Sequence, residues 1–283
     1  MTETHIADVS DTALWVAAFR ALESERPDAL FHDPLAAVLT GERGRVIARD
    51  MPYPKILAWM MAVRTVAIDR LIFEAIGAGV DTVINIGAGL DTRPYRLDLP
   101  KDLQWIEIDF PHMVDMKNIK LSQEVPRCRL SRIGLDVSNR LAAQRLYGEI
   151  GSQTRSALVI TEGVIPYLSN EHAGQLAEDL RKIPSFRFWI QDYRRSNKVM
   201  RQPKKLKKKL KNAPFQFHHP DPLGFFSGFG WKVRTDIKAM DEAERLGRPF
   251  PIAFPWTILM RLIPKTRRDA ARQVLGYVLF EAV

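Results

Sequence analysis

Three stretches decide how this chain folds: Thr82-Val83-Ile84-Asn85-Ile86, then Gly87-Ala88-Gly89-Leu90-Asp91-Thr92-Arg93, then Gln104-Trp105-Ile106-Glu107-Ile108-Asp109. The first reads as an apolar strand, the last as a second strand, and the glycines as the bend after the first. Gly87 and Gly89 carry no Cβ, so the backbone can turn sharply and admit a ligand at contact distance. Asp109 lies about 20 positions beyond the turn, where a carboxylate can accept hydrogen bonds from both ribose hydroxyls. Strand, glycine turn and acid in that order are the parts of an adenosine-binding site.

Working outward, strands are expected at 82–86, 104–109, 129–133, 157–161 and 186–191, with helices over 139–150 and 170–182 between some of them. That alternation predicts a doubly wound α/β fold, a parallel sheet covered on both faces. Two more strands are expected at 228–233 and 274–280, joined by a helical insertion rich in proline and aromatics. Upstream, Leu14, Trp15, Ala18, Phe19 and Leu22 recur at helical spacing over 12–25, with Asp11 as the expected cap. A connecting stretch with Asp33-Pro34 and the loop Met51-Pro52-Tyr53-Pro54 follows. A long helix over 55–76 then stops at Gly77 and Gly79. The expected organisation is one domain over 1–283: a helical cap at 1–79, a cofactor-binding core at 80–195, and an acceptor-side lid with C-terminal strands at 196–283.

The turn argues against a dinucleotide. That fingerprint needs a third glycine, where this chain has Thr92, and Asp91 places negative charge where two phosphates would lie. A carboxylate there suits S-adenosylmethionine, which carries a sulfonium and an ammonium and no phosphate. Ligands on such sheets bind beyond the carboxyl ends of the strands. Asp136, after the third strand, can accept from the adenine amino group, or can cap the following helix. Glu162, after the fourth, can pair with the ammonium, or can form an ordinary ion pair at a strand end.

Composition fits a globular enzyme: hydrophobic residues at 46% and charged residues at 27% are ordinary values. A single cysteine, Cys128, excludes an intramolecular disulfide and a thiolate zinc cage, which points to a reducing, cytoplasmic setting. No H-E-x-x-H or Cys/His spacing appears, so no metal is predicted. The start of the chain lacks a basic region followed by an apolar core, and does not read as a secretory signal. The most apolar run, 252–263, is broken by Pro255 and Arg261, so no membrane span is expected.

The net charge of +9 owes much to Lys204-Lys205-Leu206-Lys207-Lys208-Lys209-Leu210-Lys211, with Arg194, Arg195, Lys198 and Arg201 upstream. One reading is a solvated helix face anchored by Leu206 and Leu210. Another is a positive collar drawing in an anionic substrate. Nucleic acid is disfavoured, because no aromatic-interleaved patch or zinc module accompanies the lysines.

Taken together, these residues resemble the S-adenosylmethionine-dependent methyltransferases of the leucine carboxyl methyltransferase family, particularly a bacterial branch related to polyketide carboxyl O-methyltransferases. The resemblance runs from Thr12-Ala13-Leu14-Trp15, Arg20-Ala21 and Asp33-Pro34 through Arg64-Thr65 and Asp69 to Tyr167-Leu168. Its most specific stretches are 85–93 with Tyr95-Arg96-Leu97, Glu107-Ile108-Asp109-Phe110-Pro111 with Lys117, and Thr161-Glu162-Gly163. It implies a class I, Rossmann-like methyltransferase with S-adenosyl-L-methionine as cofactor. It also implies that Arg64 holds the methionine carboxylate, that Gly87, Ala88 and Gly89 pass beneath the cofactor, and that Asp109 holds the ribose. Asp136 then meets the adenine edge and Glu162 the methionine end. The chain departs from the family pattern at its basic segment, 198–211, and in its short C-terminal region, where the acceptor pocket is built.

A carboxylate acceptor is ionised at neutral pH and needs no general base, which agrees with the lack of an obvious catalytic dyad. Tyr167, Tyr193 and Arg194 are the candidates for holding such an anionic small molecule at the methyl. A phenol acceptor would instead call on a base, with His112, His218 and His219 as candidates. Phe215, Phe217, Phe225, Phe226 and Phe229 line a pocket for a ring, or are ordinary core. A nicotinamide oxidoreductase and a cofactor-sensing regulator without turnover are the alternatives of another class.

Overall fold

The computed structural model describes residues 10–195, 203–251 and 264–283. The 252–263 run, together with Lys198 and Arg201, lies outside the described residues. Seven strands among them form one sheet: β1 Thr82–Ile86, β2 Gln104–Asp109, β3 Arg129–Gly134, β4 Ala157–Thr161, β5 Phe186–Arg194, β6 Trp231–Lys238 and β7 Leu275–Ala282. Their order is β3-β2-β1-β4-β5-β7-β6. The first five run parallel, while β7 is antiparallel to both β5 and β6. The order reverses between β1 and β4, and that switch point is where such sheets bind ligands.

β1 and β4 sit in the middle of the sheet and are buried at every position. This is why they read as apolar runs rather than as alternating ones. β3 is one of the two edges, and its exposed positions include Arg129 and Ser131, which blunts that edge against further pairing. Two apolar layers flank the sheet. One packs Val63, Ile68 and Leu71 of the helix α3, Pro54–Gly77, against Val83, Trp105, Leu158 and Ile190. The other is aromatic: Trp189 meets Phe226 at a centroid distance of 5.0 Å and Trp231 at 5.2 Å. Edge-to-face pairs of this kind add about 0.5–1.5 kcal/mol each beyond area burial.

Ahead of β1, α3 joins two helices, α1 at Ser10–Ser24 and α2 at Pro34–Arg49, in a cap over the carboxyl ends of the strands. Two local expectations need correction here. Asp11 does not cap α1; it lies inside the first turn, and its carboxylate meets Arg43 at 2.7 Å. The stretch after Asp33-Pro34 is not a connection but α2, with Asp33 accepting from the Ala36 N–H and Pro34 in the first turn. Gly41, at φ +56°, kinks that helix and breaks the periodicity that would have announced it.

The remaining α-helices among the described residues are α4 Arg93–Arg96, α5 Pro111–Lys120, α6 Arg140–Ser152, α7 Asn170–Arg181, α8 Lys204–Lys209, α9 Pro222–Ser227, α10 Ala239–Arg245 and α11 Lys265–Arg272. The sixth strand begins at Trp231, not at Gly228. Gly228-Phe229-Gly230 closes the turn after α9, with Gly230 at φ +83°. The described part of the lysine run forms only the six-residue α8. Leu210 is buried just beyond it and Leu206 packs on the same cluster as Trp15 and Met61, as expected of anchors.

Candidate active site

A cavity of about 1490 Å³ opens where β1, β2, β4 and β5 end beneath the cap. Single small-molecule pockets are roughly 300–1,000 Å³. The cavity therefore has room for a cofactor and a second molecule.

The bend after β1 is tight for steric reasons that can be named. Gly87 sits at φ +66° and Gly89 at +47°. A Cβ on Gly87 would stand 2.5 Å from Val164 Cγ2, and one on Gly89 3.1 Å from Ala13 Cβ. Asp109 locks this turn to β2. Its Oδ2 accepts from the Gly89 N–H at 2.5 Å and its Oδ1 from the Phe110 N–H at 2.7 Å. Burial outweighs those donors, so the Asp109 carboxyl titrates above its ordinary range.

Beside the turn lies a buried ion network. Arg93 Nη1 is 2.9 Å from Asp91 Oδ2 and 2.7 Å from Glu162 Oε2, while its Nε is 2.6 Å from Asp69. Arg96 is 2.7 Å from Asp69 as well. Arg64, projecting from α3, is 2.7 Å from Glu162 Oε1 and 3.8 Å from Asp192. Burial pushes the Asp91 carboxyl up, but Arg93, Lys117 and Arg20 together bring it well below the usual carboxylate range. Glu162 is likewise lowered, with burial opposed by Arg93 and Arg64. Asp192 goes the other way: burial raises it against Arg64 and the Gly163 N–H.

Three guanidiniums, of Arg64, Arg93 and Arg96, thus face four carboxylates, of Asp69, Asp91, Glu162 and Asp192. Among these seven groups the carboxylates outnumber the guanidiniums by one, and Arg20 and Lys117 add positive charge beside Asp91. Arg64 Nε, although 2.7 Å from Glu162, makes no hydrogen bond in line with its N–H. A buried cluster that sets carboxylates and guanidiniums side by side fits a ligand end that carries a sulfonium, an ammonium and one carboxylate. The glycine turn leaves contact room for its nucleoside part. On these observations the residues present fit S-adenosylmethionine.

The other expected residues are placed as follows. Arg64, Gly87, Ala88, Gly89, Asp109, Asp136 and Glu162 all line the one cavity. Asp136 is exposed at its rim, and its Oδ1 accepts from the Ser138 N–H at 2.9 Å. The cap of α6 is Asn139, three residues later. Tyr167, Tyr193 and Arg194 line the cavity too. The Tyr167 ring packs edge-on to Phe215 at 5.3 Å, and burial raises its hydroxyl. The Tyr193 hydroxyl donates to Asp236 at 2.7 Å and accepts from Lys238 at 2.7 Å. It reaches them across Gly276, where a Cβ would stand 2.4 Å from the oxygen. Arg194, at the end of β5, is partly buried, which lowers its proton affinity.

The histidines and phenylalanines divide. Of the three candidate histidines, His218 lines the cavity, whereas His112 sits 3.0 Å from Ser10 Oγ at the surface and half-buried His219 turns Nδ1 to the Asp221 carbonyl. Phe215 and Phe217 line the cavity, while Phe226 is core. Four participants had no site role assigned from the sequence: Asp192, Gln191, Asp69 as a partner of Arg93, and Arg93 itself. Asp192 was detectable by the rule that found Glu162, a carboxylate at the end of an apolar strand.

The model of the leucine carboxyl methyltransferase family matches residues 13–181. A provisionally named S-adenosyl-L-methionine-dependent methyltransferase of Mycobacteroides abscessus is 30% identical, over 86% of this chain and 90% of its own length. A protein of the same provisional name from Mycobacterium avium is 29% identical over 86% and 85%. Among solved structures, a DUF574 family protein of Streptomyces avermitilis superposes with a TM-score of 0.56 at 13% identity, covering 94% of this chain and 97% of that one. A provisionally named methyltransferase of Thermobifida fusca gives 0.55 at 13% identity, covering 99% and 96%. Fold, glycine turn and acidic site define a class I methyltransferase that uses S-adenosylmethionine. Within that class, the chain belongs to the leucine carboxyl methyltransferase family.

Proposed function

We propose that this methyltransferase esterifies a carboxylate of a small, anionic metabolite. Arg64 takes the carboxylate of the methionine end, Glu162 its ammonium, Gly87, Ala88 and Gly89 pass beneath the nucleoside, Asp109 holds the ribose and Asp136 the adenine edge. When bound, the cofactor supplies an electrophilic methyl on sulfur. The protein's part is to hold the acceptor oxygen in line, about 3–3.5 Å from that carbon, and to keep water off it. A carboxylic acid ordinarily titrates near pH 4 and arrives as the nucleophile, so no side chain need remove a proton.

The observation that carries this reading is the Arg194 guanidinium, partly buried at the end of β5 and lining the same cavity as Trp15, Leu57, Met60, Met61 and Phe215. A cation partly withdrawn from water attracts an anion more strongly than one fully in water. Tyr167 lines the same chamber, and Lys204 and Lys207 of α8 stand along it, suited to steering an anionic acceptor inward. His218, which also lines the cavity, supports a second reading in which a phenol is methylated with a histidine base. One experiment separates the two. Methyl-labelled S-adenosylmethionine is incubated with the chain and a panel of carboxylic acids and phenols, and the product is treated with alkali. An ester releases its label as volatile methanol. An aryl ether keeps it and would overturn the carboxylate reading.

A further inference from the structure

Gln191 lies one residue before Asp192 on β5 and is fully buried, and it is one of the residues that line the cavity. Neither its Nε2 nor its Oε1 has a hydrogen-bond partner among the described residues. A side-chain amide offers two donors and an acceptor oxygen with two lone pairs. Folded proteins leave few such groups unmet, and each one needs a reason.

The neighbours that might have served it are engaged elsewhere. Thr161, its partner in register on β4, accepts from Trp189 Nε1 at 2.9 Å and turns its own hydroxyl toward the Ile190 carbonyl. On the other side, the register partner on β7 is Val278, which is apolar. Two residues along the same face, the Tyr193 hydroxyl bridges Asp236 and Lys238. The amide is therefore held in the wall of the cavity with its full hydrogen-bonding capacity unspent.

We infer that Gln191 is a specificity-determining residue whose amide hydrogen-bonds the methyl acceptor, a carboxylic acid with an apolar body, beside the oxygen that takes the methyl. The inference rests on the carboxylate reading above and deepens it. A carboxylate has two oxygens and methylation consumes one. Gln191 Nε2 donates to the other, which turns the reacting oxygen toward the cofactor side of the cavity. Before transfer that hydrogen bond is charge-assisted; afterwards it goes to a neutral ester carbonyl and is weaker. The same residue thus favours the acid over its ester and helps product leave. The apolar body lies against Trp15, Ile56, Leu57 and Met60. Sites that hold a polar group with a buried partner reject analogues lacking that group far more strongly than apolar pockets reject a changed methylene.

The test uses the full chain loaded with S-adenosylhomocysteine, with decanoate and 4-phenylbutyrate as acid probes and the matching alcohols as controls, read by calorimetry. The wild-type protein should bind the acids more tightly than the alcohols. Gln191→Met, similar in length and apolar, should weaken the acids at least tenfold, leave S-adenosylhomocysteine affinity within twofold, and leave the melting temperature unchanged or higher. Gln191→Glu, which sets like charge against the acid, should weaken it further. Equal acid affinity in wild type and Gln191→Met overturns the role of Gln191 while leaving the carboxylate reading standing. A melting temperature lowered by several degrees in Gln191→Met overturns it too, by showing that the amide serves the fold. If the wild type binds S-adenosylhomocysteine but neither acid, the carboxylate reading and the inference built on it fall together.

Discussion

The Gly89 N–H donates to Asp109 Oδ2 at 2.5 Å, so the bend after β1 and the end of β2 are one hydrogen-bonded unit. The acid that sequence spacing assigns to ribose is thus also the brace of the glycine turn. Substituting it affects binding both through lost contacts to the ligand and through a loosened turn.

Gly87→Ala is expected to lower stability and cofactor affinity for two separable reasons. At φ +66° an alanine is strained by about 1–3 kcal/mol, and its Cβ would also strike Val164 Cγ2. Adding Val164→Ala removes the collision and not the strain. Denaturant titration of the double variant should recover part of the loss, while full recovery would contradict the backbone part of the account.

Arg93 neutralises Asp69, Asp91 and Glu162 at once. Removing one member of a buried ion pair costs about 3–5 kcal/mol, because the other charge stays behind. Arg93→Met should therefore lose at least that much in urea unfolding. Arg43→Met, whose guanidinium is exposed and pairs with Asp11, should lose under about 1 kcal/mol.

Acid should unfold the protein partly through Asp91 and Glu162. Both titrate below the ordinary carboxylate range in the folded chain. Between the two values the unfolded chain binds more protons, so their contribution is complete above about pH 4 and drains away as pH falls further. Asp109 and Asp192, held above that range by burial, act in the opposite sense and lose stability as pH rises through their values. Melting temperatures measured from pH 3 to pH 6 should rise with pH, and Asp91→Asn should flatten the rise.

Lys204 and Lys207 line the cavity without entering the ion network. Their joint replacement by serine should raise KM for an anionic acceptor several-fold at low salt and leave kcat near wild type. At 0.5 M salt the difference should shrink, because screening removes long-range attraction. A change in kcat that is independent of salt would assign the lysines a direct role.

Much of this was legible in the chain because it depends on short-range patterns. The sheet strands announced themselves as apolar runs, and the turn and Asp109 by spacing. Elements set by longer-range packing were less visible. The helix after Asp33 is broken by Gly41, and its apolar face is defined by the distant α1, Leu90 of the turn and Met113 of α5, against which it packs. Asp11 looks like a cap until Arg43, more than thirty residues on, draws it into the helix. The ion network joins Arg64, Arg93, Glu162 and Asp192 from four separate elements, so no local pattern could show that Glu162 is shared by two guanidiniums. Gln191 was invisible for a related reason: what marks it is the lack of a partner, and partners are known only in three dimensions.

The central claim is that the glycine turn and Asp109 hold the nucleoside of the cofactor, and calorimetry with S-adenosylhomocysteine tests it most directly. The wild-type chain should bind one equivalent, and Asp109→Asn, which keeps the shape and loses the charge, should bind at least tenfold more weakly. Equal affinity in the two proteins would contradict the account.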